Sequence, residues 1–211
     1  LWIEDRVEAE AQLAEIAREI AGCTACALSR TRHKTVPGDG VANAEILFIG
    51  EAPGYHEDQQ GKPFVGQAGQ FLQELLQSID LERSSVFIAN VVKCRPPNNR
   101  DPLPDEIAAC DQFLQRQIAA INPKVVVTLG RYSMAKFFPG ESISRIHGQA
   151  RTRGSVMYVP MYHPAAALHQ PALRRTIEED FRKLPGLLAT LRVTPAESEP
   201  EKPSATQLSL F

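Results

Sequence analysis

The apolar positions of the chain follow two periods that alternate along its length. From Asp5 to Ala21 they recur at helical spacing, through Val7, Ala11, Leu13, Ala14, Ile16, Ala17 and Ile20, and the pattern stops at Gly22. An amphipathic helix ending at a glycine is the expected element. Four short runs rich in Val, Ile and Phe then read as strands: EILFIG at 45–50, SSVFIANVV at 84–92, KVVVTLG at 124–130 and SVMYVPMY at 155–162. Helical periods lie between and after them, at 66–79, 104–121, around 131–138 and at 171–191.

Strands that alternate with helices predict an α/β fold whose parallel, twisted sheet is covered on both faces. Such sheets bind ligands beyond the carboxyl ends of their strands. The residues that follow the four runs are Glu51-Ala52-Pro53-Gly54, Lys93-Cys94-Arg95-Pro96-Pro97, Gly130-Arg131 and His163-Pro164. Polar and backbone-shaping side chains thus converge where the fold places a site. Past residue 193 the apolar period is lost in a stretch of Pro, Ser and Glu, so 1–193 is expected to be the domain and 194–206 a disordered linker.

At 211 residues, 43% of them hydrophobic and 23% charged, the chain can bury one α/β core. It has no run of eighteen apolar residues, and its start lacks the basic-then-apolar order of a signal peptide, so membrane spans and Sec secretion are not expected. The 23 basic and 25 acidic residues are unevenly spread. Glu197, Glu199 and Glu201 against Lys202 belong to the tail, leaving 22 of each sign in the body. A neutral body argues against indiscriminate polyanion binding but allows a local phosphate-binding patch.

The four cysteines form a C-x2-C pair, Cys23 and Cys26, followed after 67 intervening residues by Cys94 and after 15 more intervening residues by Cys110. A chain with an ample core and no secretory signal has little need of disulfides. Four thiolates around zinc or around an iron–sulfur cluster is the preferred reading, with buried free thiols or disulfides as the alternative.

Segment 50–72, GEAPGYHEDQQGKPFVGQAGQFL, packs five glycines, two prolines and three carboxylates between a strand and a helix. Loops of this length are more often functional than ordinary connections. Its glycines let backbone approach a flat ligand closely, and Phe64 offers a stacking face, although on composition alone a core Phe is the preferred reading. His163 at a strand exit is a catalytic candidate or a structural histidine. Asn90 is an amide inside an apolar strand, where it must find a hydrogen-bond partner or wait for a ligand.

Together, GEAPG followed by ED, GKPFVGQAG, the strand Asn90, KCRPPNNRDP, HPAAAL and the four cysteines resemble the family-four uracil-DNA glycosylases, the iron–sulfur type of bacteria and archaea. The resemblance spans about residues 22–190. It implies a three-layer α/β/α fold with a central four-stranded parallel sheet, and a 4Fe-4S cluster held by Cys23, Cys26, Cys94 and Cys110. Uracil flipped out of DNA would be held by Glu51, Ala52, Glu57, Phe64, Asn90 and His163. In that resemblance Asn90 reads the Watson–Crick edge, Phe64 stacks on the ring, and His163 donates to uracil O2 as negative charge develops there. Cytosine would leave buried polar groups unpaired.

Two positions depart from the best-known glycosylase pattern. Where an aspartate precedes the proline and activates water, this chain has Ala52, which leaves Glu51, Glu57 and Asp58 as catalytic candidates, Glu57 alternatively excluding the thymine methyl. Where a wedge leucine follows the histidine by four residues, Ala167 stands, and Leu168 is the expected substitute. Arg145 and Arg151 are the expected phosphate contacts, among other arginines.

The last five residues, QLSLF, resemble the motif by which bacterial repair and replication proteins dock on the sliding clamp. Gln207 would anchor one end, and Leu208, Leu210 and Phe211 would fill an apolar pocket, the linker tethering the body beside the ring. The expected partners are uracil-containing DNA and the clamp, and the expected state is a monomer in the bacterial cytoplasm, associated with the nucleoid. Two readings from other classes stand beside this one: a non-catalytic iron–sulfur module that binds damaged or single-stranded DNA, which Ala52 favours, and a zinc hydrolase, which four cysteine ligands with no open position disfavour.

Overall fold

Every residue of the runs at 46–50, 87–90 and 125–129 is buried, as strands covered on both faces require. The computed structural model describes residues 2–193; the linker expected at 194–206 and the QLSLF peptide lie outside the described residues. In chain order, α1 (Trp2–Gly22) leads through a 3-10 turn to β1 (Asp39–Gly40), β2 (Ile46–Gly50), α2 (Tyr55–Gln60), α3 (Gln67–Gln77), β3 (Phe87–Asn90), α4 (Pro104–Ile121) and β4 (Val125–Leu129). The second half adds α5 (Arg131–Phe137), α6 (Ile143–Ile146), β5 (Arg151–Arg153), β6 (Val156–Met161), α7 (Ala165–His169), α8 (Leu173–Phe181) and α9 (Leu184–Val193).

The sheet order is β1-β3-β2-β4-β6-β5. Its inner four strands are parallel, with Phe48 opposite both Ile88 and Val127, and Val127 opposite Val159. The expected four-stranded parallel sheet is therefore the centre of a mixed six-stranded one, whose edges β1 and β5 pair antiparallel. Neither edge carries an apolar run: one is Asp39-Gly40 and the other is the fully exposed Arg151-Thr152-Arg153.

Alternation along β2 distributes its side chains to two cores. Leu47 and Ile49 join Ile16 and Ile20 of α1, Phe113 and Leu114 of α4, and Met134 of α5 on one face. Ile46 and Phe48 join Leu72 and Leu75 of α3, Ile177 and Phe181 of α8, and Leu184 on the other. The Phe48 and Phe181 rings stack at 6.0 Å. These are the three layers expected.

Three expectations shift in detail. The helix at 171–191 is divided between α8 and α9, because Pro185 lacks an N–H and its ring would crowd the carbonyl four residues back. The strand at 84–92 narrows to Phe87–Asn90 behind a 3-10 turn at Arg83–Ser85. The segment 50–72 contains α2, a short polar helix without an apolar stripe to announce it.

Candidate active site

Parallel pairing puts Gly50, the last residue of β2, directly opposite Asn90, the last of β3. A Cβ at residue 50 would lie 2.4 Å from Asn90 Oδ1 and 2.8 Å from the Phe64 ring, so only glycine lets amide and ring meet at this floor. Asn90 is 2% exposed and its Oδ1 has no hydrogen-bond partner. A buried acceptor left open this way is costly unless something fills it. Its main chain is fixed instead: the buried Lys93 donates Nζ–H to the Asn90 carbonyl at 2.8 Å and to Gln117 Oε1 at 2.6 Å.

Phe64 sits at φ +51°, a left-handed conformation strained for a bulky residue. Surrounding contacts impose it. Arg83 donates to the carbonyls of Pro63 and Phe64, and Glu57 Oε1 accepts the N–H groups of Val65 and Gly66, each at 3.0 Å. Gly69 leaves room for the Phe64 carbonyl, which a Cβ would approach to 1.9 Å.

His163 enters from the exit of β6 and lies over Phe64, ring centroids 5.4 Å apart at 26°. Its Nδ1 accepts the Ala165 N–H at 3.1 Å. Desolvation pushes its pKa down to about 4, so at neutral pH the ring is uncharged and its proton is on Nε2. Gly130, at φ +91°, lets the start of α5 pass beside the histidine, 3.1 Å from where a Cβ would sit. The ring is thereby a fixed neutral donor.

Glu57, Phe64, Asn90 and His163 line a cleft of about 670 Å³ together with Glu51, Ala52, Tyr55, His56, Arg100, Asp101 and Leu168. Burial, reinforced by the charge of Asp101 and opposed by Arg131, pushes the Glu51 carboxyl up to about 7. Asp101 and Arg131 are themselves ion-paired. Leu168 stands at the rim, 45% exposed, on α7.

Not every expected site residue reaches the cleft. Asp58 is 2% exposed on the other side of α2, and its Oδ1 accepts the main-chain N–H groups of His33 and Lys34. Arg145 on α6 and Arg151 on the edge strand β5 also lie outside it, Arg151 paired with Glu141. Sequence reasoning missed Arg83, and it placed Lys93, Asp101 and Arg131 only within segments that follow strands, without a role for any of them. A buried lysine beside a cysteine, or an arginine that clamps a turn from nineteen residues away, has no local signature.

The four cysteines come from three segments and line one small pocket: Cys23 and Cys26 after α1, Cys94 after β3, and Cys110 on α4. All four are free thiols, so the disulfide alternative is not adopted. Arg32 donates to Cys94 Sγ at 3.2 Å, and the Lys93 N–H to Cys110 Sγ at 3.3 Å. A soft four-sulfur donor set with N–H groups aimed at sulfur fits a cluster of iron and sulfide. Among the described residues no three His, Cys, Asp or Glu side chains are placed to hold a single metal ion. No helix among them is long and apolar enough to cross a membrane.

Residues 37–184 match the family model of the uracil DNA glycosylase superfamily. The chain is 49% identical over 188 residues to the type-4 uracil-DNA glycosylase of Sulfurisphaera tokodaii, covering 84% of this chain and 86% of the relative. It is 48% identical to that of Saccharolobus solfataricus, covering 85% and 88%, and 44% identical to that of Thermotoga maritima, covering 82% and 93%.

Proposed function

The chain belongs to the uracil-DNA glycosylase superfamily as a type-4 uracil-DNA glycosylase, a hydrolase of N-glycosyl bonds in base excision repair, and on that premise we propose how its own residues divide the reaction. Membership sets aside the non-catalytic and zinc-hydrolase readings.

The observation that carries the assignment is the open acceptor of Asn90 at the floor of the cleft. In this reading Oδ1 accepts uracil N3–H and the amide nitrogen donates to O4. Cytosine offers neither match, because its N3 lacks a proton and its position four carries a donor. Phe64 presents its face to the flipped ring, and Glu57 holds the turn that keeps Phe64 in place. Thymine would bring its methyl against that turn.

As the C1′–N1 bond breaks, its electron pair goes to the base and positive charge grows on the sugar. The Nε2–H of His163 donates to uracil O2 and stabilises the departing anion; being neutral, it gives up no proton. Glu51 in its ionised form accepts a proton from water while the water oxygen bonds to C1′. The uracil anion then takes up a proton from solvent, Glu51 returns its proton to solvent, and the products are free uracil and an abasic site. Leu168 fills the vacated stack. Cys23, Cys26, Cys94 and Cys110 would hold a 4Fe-4S cluster, which contributes a cross-link among α1, the β3 exit and α4 rather than a step in the chemistry.

Outside the described residues, Gln207, Leu208, Leu210 and Phe211 dock the enzyme, acting as a monomer, on the bacterial sliding clamp. A peptide of residues 200–211 is expected to bind the clamp, and undiminished clamp binding after deletion of 207–211 would refute this part alone.

Single-turnover release of uracil from a uracil-containing oligonucleotide tests the site. His163→Ala is expected to lose about 10²–10³ in rate, the usual effect of removing a preorganised donor, while DNA binding changes little. Wild-type rates in that variant would overturn the role of His163.

A further inference from the structure

Cations on the described surface are unevenly compensated. Arg116, Lys124, Arg131, Arg151, Arg174 and Arg175 each sit on a carboxylate. Arg18, Arg30, Lys34, Lys62, Arg145 and Arg153 are exposed and have no carboxylate within ion-pair distance among the described residues, and of these Arg30, Lys34 and Lys62 are brought together by the fold. They occupy two segments that touch at the outer side of α2. The stem of Lys34 runs along Gly61, where a Cβ would lie 3.5 Å from Lys34 Cδ, and Lys62 is the next residue.

The loop that carries Arg30 and Lys34 is held at three points. Arg32 ties it to Cys94 Sγ and to the Ala21 carbonyl. Asp58 accepts the His33 N–H at 2.9 Å and the Lys34 N–H at 3.4 Å. The Val36 N–H bonds to the Lys93 carbonyl at 2.8 Å. Burying a carboxylate is expensive, and charge-assisted bonds to main-chain N–H groups are what make it tolerable. Here the buried Asp58 immobilises the backbone of two adjacent residues whose side chains stay in solvent.

The N-terminal turn of the same helix faces the cleft: Tyr55, His56 and Glu57 line it. A helix with its side chains is about 10–12 Å across, and each strand of a duplex carries a phosphate about every 3.4 Å of rise along the helix axis. Arg30, Lys34 and Lys62 therefore stand one helix width from the cleft, within reach of the phosphates that flank a base held there.

We propose that the loop at 30–34, with Lys62, is a preset platform for DNA phosphates, gripping the DNA backbone beside the flipped base from the outer side of α2. The proposal rests on the glycosylase reading of the cleft. Lys34, Lys62 and Arg30 replace condensed counterions on the backbone without reading sequence. Because Asp58 and Arg32 have already ordered the loop, less freedom is lost on binding. The cysteine pocket thereby gains a function beyond folding: through Arg32 it sets the position of a DNA-binding surface.

The test uses the full chain with Lys34→Ala and Lys62→Ala combined, both exposed and unpaired, with thermal melting to show that the fold is kept. Binding to a uracil-containing duplex is followed across a salt series, alongside single-turnover uracil release at saturating DNA. The slope of log affinity against log salt is expected to fall by about two, since each phosphate contact contributes about 0.9. Low-salt affinity falls about tenfold, and the saturating rate stays within about twofold of wild type. Lys124→Ala, at the opposite end of the sheet and paired with Glu45, leaves the slope unchanged. A double variant with wild-type slope and affinity would overturn the platform, as would a loss confined to the saturating rate. Failure of the wild-type chain to release uracil would instead strike the glycosylase reading, on which the salt slope does not depend.

Discussion

Gly50 and Asn90 face each other at the ends of two parallel strands, so close that a Cβ on residue 50 would meet Asn90 Oδ1 at 2.4 Å. Gly50 is not at positive φ, so alanine is tolerated by the backbone, and any effect of Gly50→Ala is steric. The added methyl displaces both the base-reading amide and the Phe64 ring. Overpacking of this kind costs about 1–3 kcal/mol, which at the site is about 5- to 150-fold in rate. Single-turnover uracil release should fall within that range while the melting temperature shifts only modestly; an unaffected rate would show that the floor is not where uracil sits.

The raised pKa of Glu51 gives the reaction a pH limb with a definite sign. The carboxylate is the active form, so the rate should rise with pH through an apparent pKa of about 7 and then level off. His163 contributes no limb in this range, because it is already neutral above about 4. Glu51→Gln should abolish the limb and lower the rate by about 10²–10⁴. A pH-independent wild-type rate between 6 and 8 would remove Glu51 from the water-activating role.

Asp58 was one of three carboxylate candidates for the missing loop aspartate, and its contacts make it a scaffold. Asn at this position keeps the oxygen that accepts from His33 and Lys34 but is not a base. Asp58→Asn should therefore cleave within a few-fold of wild type at saturating DNA, with lowered stability. A loss comparable to that of Glu51→Gln would return Asp58 to the chemistry.

The thiol pocket predicts a brown protein with about four irons per chain. Cys94→Ala should lose iron and solubility together, since it cuts the link between the β3 exit and both α1 and α4 and frees Arg32. One zinc and no iron, in protein produced with adequate iron, would contradict the cluster.

Legibility in the sequence followed periodicity and chemistry. The four inner strands and the major helices were readable because buried parallel strands are continuous apolar runs and their covering helices carry stripes. Asp39-Gly40 and Arg151–Arg153 were not, since an edge strand is defined by main-chain pairing that leaves no apolar trace. Asn90 and His163 stood out as polar residues at strand ends. The roles of Glu51, Glu57 and Asp58 were indistinguishable in one dimension, because neighbouring helix positions such as 57 and 58 differ by about 100° in direction and only the fold says which face meets the cleft. Arg83 acts on the main-chain carbonyls of Pro63 and Phe64 and Lys93 on the Gln117 side chain from α4, and no local pattern marks bonds between such distant segments.

The most direct test of the account is the ratio of single-turnover excision rates on uracil and on cytosine in the same oligonucleotide, measured for the wild type and for Asn90→Asp. The wild type should release uracil and leave cytosine untouched within detection. Asn90→Asp should lose uracil activity and acquire measurable cytosine release, because a carboxyl at this position can pair with the cytosine edge. An Asn90→Asp enzyme that keeps wild-type uracil release and still ignores cytosine would contradict the assignment of Asn90 as the group that reads the base.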